Sequence, residues 1–346
     1  MPATLIIRAL VLGLMQATGC VLTGLVTIQH FARGRESILY GWITLSIFCV
    51  AGWIANWFNY MRHEVRRQTQ RSKMQKLGRL MLNLIPGSST FSWYLEWFIS
   101  PNSWSAGYWV SVLQLFQCTL GDIPQAILQT YLIIHFWWDE NVATWESVTL
   151  MTMSSWSVLL AATATCNYIR NEHFEEEHQF PRKGIFLLVI FATILHLSGR
   201  VLSSSIVGKV YSVRWMTGGI GLILTLNYVI SVCALTKGFR AEMSCTYKIF
   251  SPVPVAFLNA VCMTKNRGLM VMNSFFWMAL SLPQLGIYNE KAMHWVLWGL
   301  PFLAQCVALL VFLWNWRVIE IAFRRFERLL KRGISILGGK MRREKD

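Results

Sequence analysis

Residues 184–206 read Gly184-Ile-Phe-Leu-Leu-Val-Ile-Phe-Ala-Thr-Ile-Leu-His196-Leu-Ser-Gly-Arg200-Val-Leu-Ser-Ser-Ser-Ile206. At about 1.5 Å per helical residue such a run is long enough to cross a hydrocarbon core of about 30 Å. It holds one charge, Arg200, and no proline. Five other runs are comparably long and apolar: Leu5–His30, Ile38–Tyr60, Trp145–Tyr168, Trp215–Leu235 and Ala292–Trp314. Two less regular segments are also long enough. Gly107–Trp138 contains Pro124, which must kink or break a helix, and Leu269–Tyr288 carries Pro283 near its end.

The whole composition agrees with these segments. Of 346 residues 54% are hydrophobic and only 14% charged, with 17 Trp and 20 Phe; the mean hydropathy is +0.42. Soluble domains carry about 25% charged residues, so a soluble enzyme and a disordered chain are both excluded. A net charge of +15 would point to nucleic acid in a soluble protein. Here the bases lie between apolar runs, so no nucleic-acid partner is expected. The eight cysteines form no metal-ligand spacing, and most fall in apolar runs where they act as small hydrophobes. The first run is too long for a cleavable signal and reads as a span.

Two further apolar stretches are interrupted. Leu80–Trp104 contains Pro86-Gly87-Ser88-Ser89, and Tyr247–Met263 contains Pro252 and Pro254. Irregular backbone in lipid survives only when packed in protein or lining a wet cavity, so both read as re-entrant or interfacial helices. The expected fold is therefore an all-α membrane protein of about eight transmembrane helices plus two such segments.

Positive charge sets the orientation. With eight spans, 26 of the 32 Lys and Arg residues fall on one side, including the cluster Arg62–Arg79 and ten bases from Arg317 to Lys345. That side is the cytoplasm, and it holds both termini. The order of elements divides the chain into a four-span half over 1–170, a charged linker over 171–183, a second four-span half over 184–316 and a basic tail over 317–346. The halves share their order of elements, and Ile123-Pro-Gln125 is echoed by Leu282-Pro-Gln284. Two parallel repeats are expected from this, related by an axis along the membrane normal.

No phosphate-binding loop, nucleophile elbow or zinc-protease motif occurs, and aspartate stands only at 122, 139 and 346. Neither enzymatic activity, a metal site nor a cofactor is expected. The polar residues inside the spans are the candidates for function, because charge at membrane depth costs about 2.5–3.5 kcal/mol on insertion scales. His196, Arg200 and Ser203 share a helix face that must point into the bundle. Asp122 and Gln125 flank Pro124, and Gln114, Gln117, Gln125 and Gln129 recur near helical spacing. Two readings stay open: a polar furrow for a headgroup or solute, or a structural clamp with Arg200 paired to Asp122 or to carbonyls.

The segment from Ser111 to Tyr131, with Gly-Asp-Ile-Pro-Gln125 running into Leu-Gln129-Thr-Tyr131, resembles the hallmark of the XK-related membrane proteins. Asn167-Tyr-Ile-Arg170 and Ser198-Gly-Arg200-Val-Leu202 resemble further stretches of that family, in the same order. The resemblance implies a plasma-membrane protein of eight spans and two re-entrant helices, built as two repeats. Several members move phosphatidylserine and other phospholipids between leaflets without ATP, in apoptosis after caspase cleavage. Gln117, Asp122, Gln125, Gln129, His196 and Arg200 then become lipid-pathway candidates, and Pro124 and Pro283 structural kinks. Scrambling members carry acidic residues four apart before Pro-Gln; Gln117 and Gly121 stand at those positions here, with Asp122 displaced by one. With aspartate only at 122, 139 and 346, no caspase trigger is expected.

The expected partners are phospholipids, with anionic lipid at the basic helix Arg317–Arg332. Its stripe of Val318, Ala322, Phe326 and Leu329 would lie on the membrane, or cap the cytoplasmic mouth of the bundle. The alternatives to lipid movement are a non-scrambling subunit of another membrane protein and a solute transporter.

Overall fold

The computed structural model describes residues 2–59, 81–99, 104–138, 144–175, 183–236, 267–281, 292–317 and 319–320, and every regular element among them is a helix. They are α1 (Pro2–Ala32), α2 (Arg35–Asn59), α3 (Ser88–Ile99), α4 (Trp104–Gln117), a π-turn (Cys118–Asp122), α5 (Ile123–Trp138), α6 (Thr144–Glu175), α7 (Lys183–Val210), α8 (Val213–Thr236), α9 (Arg267–Ser281) and α10 (Ala292–Trp314). The cluster Arg62–Arg79, the stretch Tyr247–Met263, Pro283 and the tail from residue 321 lie outside the described residues. The chain divides into two units, Met1–Asn171 and Glu172–Asp346.

Five helices are long and apolar enough to cross a membrane, over Ile6–Ala32, Ser37–Asn59, Trp145–Arg170, Leu187–Lys209 and Val213–Cys233. Their exposed faces identify the solvent. On α1, Ile7, Leu14, Val21 and Ile28 recur every seven residues and are all exposed, while Gln16, Thr23, Thr27 and His30 are buried. On α7, Leu187, Leu188 and Phe191 are exposed, while Thr193, His196, Arg200 and Ser203 are buried. Water would invert this arrangement; lipid favours it. The protein is a multi-pass membrane protein.

In the first unit α1 and α2 pack side by side, and α2 also meets α3, α4, α5 and the π-turn. The seam on α2 is made of small residues, Ala51, Gly52 and Ala55, which let backbones approach closely. A Cβ at Gly52 would lie 2.7 Å from the Gly87 nitrogen and 2.7 Å from the Pro86 Cβ, so the turn before α3 rests directly on this helix. Gly87 has a φ of +75°, a conformation that disfavours side chains.

That turn leaves backbone groups unpaired, and α2 pairs them. Asn56 Nδ2 donates to the carbonyls of Asn83 (3.0 Å) and Ile85 (2.6 Å), while its Oδ1 accepts from the Ser89 N–H at 3.0 Å. Trp53 Nε1 donates to the Leu84 carbonyl at 2.7 Å. The α3 helix that follows has 12 residues, too few to cross, and it buries Trp93, Tyr94 and Trp97.

The expected break at Pro124 takes a different form. The chain stays helical from Trp104 to Trp138, but Cys118–Asp122 widens into a π-turn in which the Ile123 N–H donates to the Cys118 carbonyl. One added residue per turn accommodates the proline's missing donor without breaking the rod. At the far end of this rod, Leu132 and Ile133 of α5 pack with Val26 of α1 and with Leu150 and Met153 of α6.

In the second unit α7 packs mainly on α10 and also meets α8 and α9. Gly199 makes the α7–α10 approach possible, since a Cβ there would lie 3.0 Å from the Pro301 carbonyl oxygen. Asn227 of α8 and Asn273 of α9 exchange two side-chain hydrogen bonds at 2.8 and 3.0 Å. A reciprocal amide pair of this kind joins helices where lipid offers no competing donor.

Replacing Asn56 with Ala removes three hydrogen bonds at once. At about 0.6 kcal/mol for each bond inside a membrane protein, the cost is about 2 kcal/mol. The thermal midpoint of the purified protein should fall clearly for Asn56→Ala and for Gly52→Val. A wild-type midpoint in both would show that the turn does not depend on α2.

Candidate functional site

A narrow cleft opens in the first unit. Gln16, Gly19, Cys20 and Thr23 of α1 form one wall, and Phe48, Ala51 and Gly52 of α2 another. Pro86 and Gly87 close one end, and Gln117, Gly121, Asp122 and Gln125 present the π-turn to it. The free volume is about 30 Å³, room for a water or two.

The π-turn decides which side chains reach the cleft. In an uninterrupted α-helix, residues 117, 121 and 125 share a face and residue 122 lies about 100° away. The added residue rotates the turn, so Gly121 and Asp122 both line the cleft between Gln117 and Gln125. Gly121 sits flush on α2, where a Cβ would lie 3.0 Å from the Ala51 Cβ.

The polar side chains of this unit fall into two groups. The first makes bonds that tie helices together. Gln125 Nε2 donates to the Thr44 carbonyl at 2.6 Å, and Gln129 Nε2 to the Thr44 hydroxyl at 3.1 Å and to Gln125 Oε1 at 3.3 Å. His30 Nε2 lies 3.4 Å from Gln129 Oε1. This ladder ties α1, α2 and α5 together, and it is a clamp. Gln114 donates to the Tyr94 hydroxyl, joining α4 to α3, while its Oε1 has no hydrogen-bond partner. Near the start of α1, Arg8 donates to Asn167 Oδ1 at 2.8 Å and lies over the Trp97 ring at 5.5 Å.

The second group is not engaged. Gln117 is 91% buried, yet its Oε1 has no hydrogen-bond partner. Gln16 is 92% buried and makes no hydrogen bond among the described residues. Asp122 has neither a hydrogen-bond nor an ion-pair partner among the described residues.

The remaining sequence candidates lie in the second unit. His196 and Arg200 are buried on the inward face of α7, as their spacing requires. The Arg200 guanidinium lies over the Trp277 ring of α9 at 5.6 Å, and the His196 ring meets the Phe312 ring of α10 edge-on at 5.3 Å. Gln305 of α10 donates to the Ser203 hydroxyl at 3.3 Å. These contacts join α7 to α9 and α10. Sequence reasoning passed over Thr44, Asn56 and Gln305, although each is a polar residue inside an apolar run, the signal that singled out Arg200. Of the cysteines, Cys118 and Cys166 are buried, Cys233 is exposed, and none of the described six is in a disulfide. No three His, Cys, Asp or Glu side chains come together as a metal site among the described residues.

No protein-family model matches this chain, and no curated protein does.

Engaged and unengaged glutamines should respond differently to truncation. Gln129→Leu should cost about 1–2 kcal/mol and lower the thermal midpoint, because it severs contacts to α1, α2 and Gln125. Gln117→Leu, measured in choline chloride, should leave the midpoint unchanged or raise it, because it removes an unsatisfied buried acceptor. Equal losses in both variants would contradict the division.

Proposed function

We propose that this protein is an XK-related protein of the plasma membrane that lets phospholipids, phosphatidylserine among them, move between leaflets without ATP. The observation that supports this most is the cleft, where Gln16, Gln117 and Asp122 stand unpartnered among helices whose outer faces are apolar. Polar groups at membrane depth with no structural partner are the elements of a headgroup path. Such a path lowers the barrier to carrying a charged headgroup through hydrocarbon, while the acyl chains stay in lipid and the concentration gradient supplies direction.

The reading carries with it eight spans in two parallel repeats, with re-entrant segments at 80–104 and 247–263. The excess of bases on one side of that arrangement favours cytoplasmic termini and a basic tail on anionic lipid. His196 and Arg200 would belong to the second half's share of the path. At about 30 Å³ the cleft admits water and not a phosphate headgroup, so transport requires it to widen. The same narrowness favours a second reading, a non-scrambling subunit of another membrane protein.

Purified protein in liposomes should equilibrate labelled phosphatidylserine between leaflets. Unchanged asymmetry beside an active control would refute lipid movement. Recovery of a stoichiometric companion from native membrane would then favour the subunit reading.

A further inference from the structure

Asp122 lies in the rod that runs from Trp104 to Trp138, and no cationic side chain among the described residues is paired with it. The other described charges near these helices are committed. Arg8 bonds Asn167 and covers Trp97, and Arg33 pairs with Glu146 at 3.5 Å. A carboxylate at this depth calls for a counter-charge.

The groups around Asp122 are of the kind that bind a cation. Gln117 Oε1 is a buried acceptor with nothing to accept from. Gln16 faces the same space across the cleft, 92% buried and without a hydrogen bond among the described residues. The Thr23 hydroxyl gives its proton to the Gly19 carbonyl at 2.9 Å, which leaves its oxygen lone pairs open. The donors of Gln125, by contrast, are directed at Thr44. Several oxygen acceptors thus line the cleft.

We propose that this cleft binds one small monovalent cation of sodium's size, held by the Asp122 carboxylate and the amide oxygens of Gln16 and Gln117. One carboxylate among neutral oxygens balances a single positive charge, whereas calcium and magnesium sites use more carboxylates or several waters. The volume of about 30 Å³ accommodates a small ion with a water. The π-turn is what brings Gln117 and Asp122 to the same opening. The inference does not rest on lipid movement.

Radioactive sodium binding to the purified full-length protein in nanodiscs, at constant ionic strength in choline chloride, tests it. Wild type should bind about one ion per chain saturably, and its thermal midpoint should rise with sodium over the same concentration range. Gln117→Leu and Gln16→Leu should each weaken binding about tenfold, the loss of one contact to a charged group, and Asp122→Asn should abolish it. Absence of saturable binding to wild type would overturn the site, and that result needs no variant to fold. Binding of wild-type strength in both glutamine variants would also overturn it, as would displacement of sodium by ethanolamine at equal concentration.

Discussion

Every peptide group at hydrocarbon depth must find a partner within the protein, and this requirement explains the least regular part of the structure. The chain turns at Pro86-Gly87, and Asn56 and Trp53 take up the carbonyls of residues 83–85 that the turn releases. Gly52 and Gly87 are needed because only backbones without side chains come close enough for those bonds to form. The π-turn before Pro124 answers the same requirement by other means. There the helix widens and keeps its bonds, and no partner helix has to supply them.

Polar side chains inside the bundle serve two purposes, which hydrogen bonding separates. Thr44, Gln125, Gln129 and His30 are engaged with one another and hold helices together. Gln16, Gln117 and Asp122 contribute nothing to that framework and stand around one opening. In the second unit, His196 and Arg200 rest against aromatic rings, and Gln305 reaches Ser203. Such packing holds α7 to its neighbours.

The helices were legible because lipid imposes a simple rule of length and polarity. The apolar runs Leu5–His30, Ile38–Tyr60 and Gly184–Ile206 were enough to locate the helices Pro2–Ala32, Arg35–Asn59 and Lys183–Val210, since few other features of a sequence extend over twenty residues. The inward placement of Arg200 followed from its cost in lipid. The cleft was only half legible. Gln117, Asp122 and Gln125 could be singled out, but regular helical spacing sets Asp122 about 140° away from Gln117. Only a backbone distortion brings them together, and a proline announces a disturbance without specifying its form. Asn56 was passed over because its role is set by a turn nearly thirty residues away in the chain. Pro301 was overlooked because the run around it is so apolar that the helix continues through it.

The account depends above all on lipid being the solvent of these helices. Spin labels placed singly at Leu14, Val21 and Leu188 in bilayers test this directly through their collisions with molecular oxygen and with a water-soluble nickel chelate. All three should meet oxygen freely and the chelate hardly at all. Preferential collision with the chelate at these positions would mean that water covers the apolar faces, and the membrane fold would have to be abandoned.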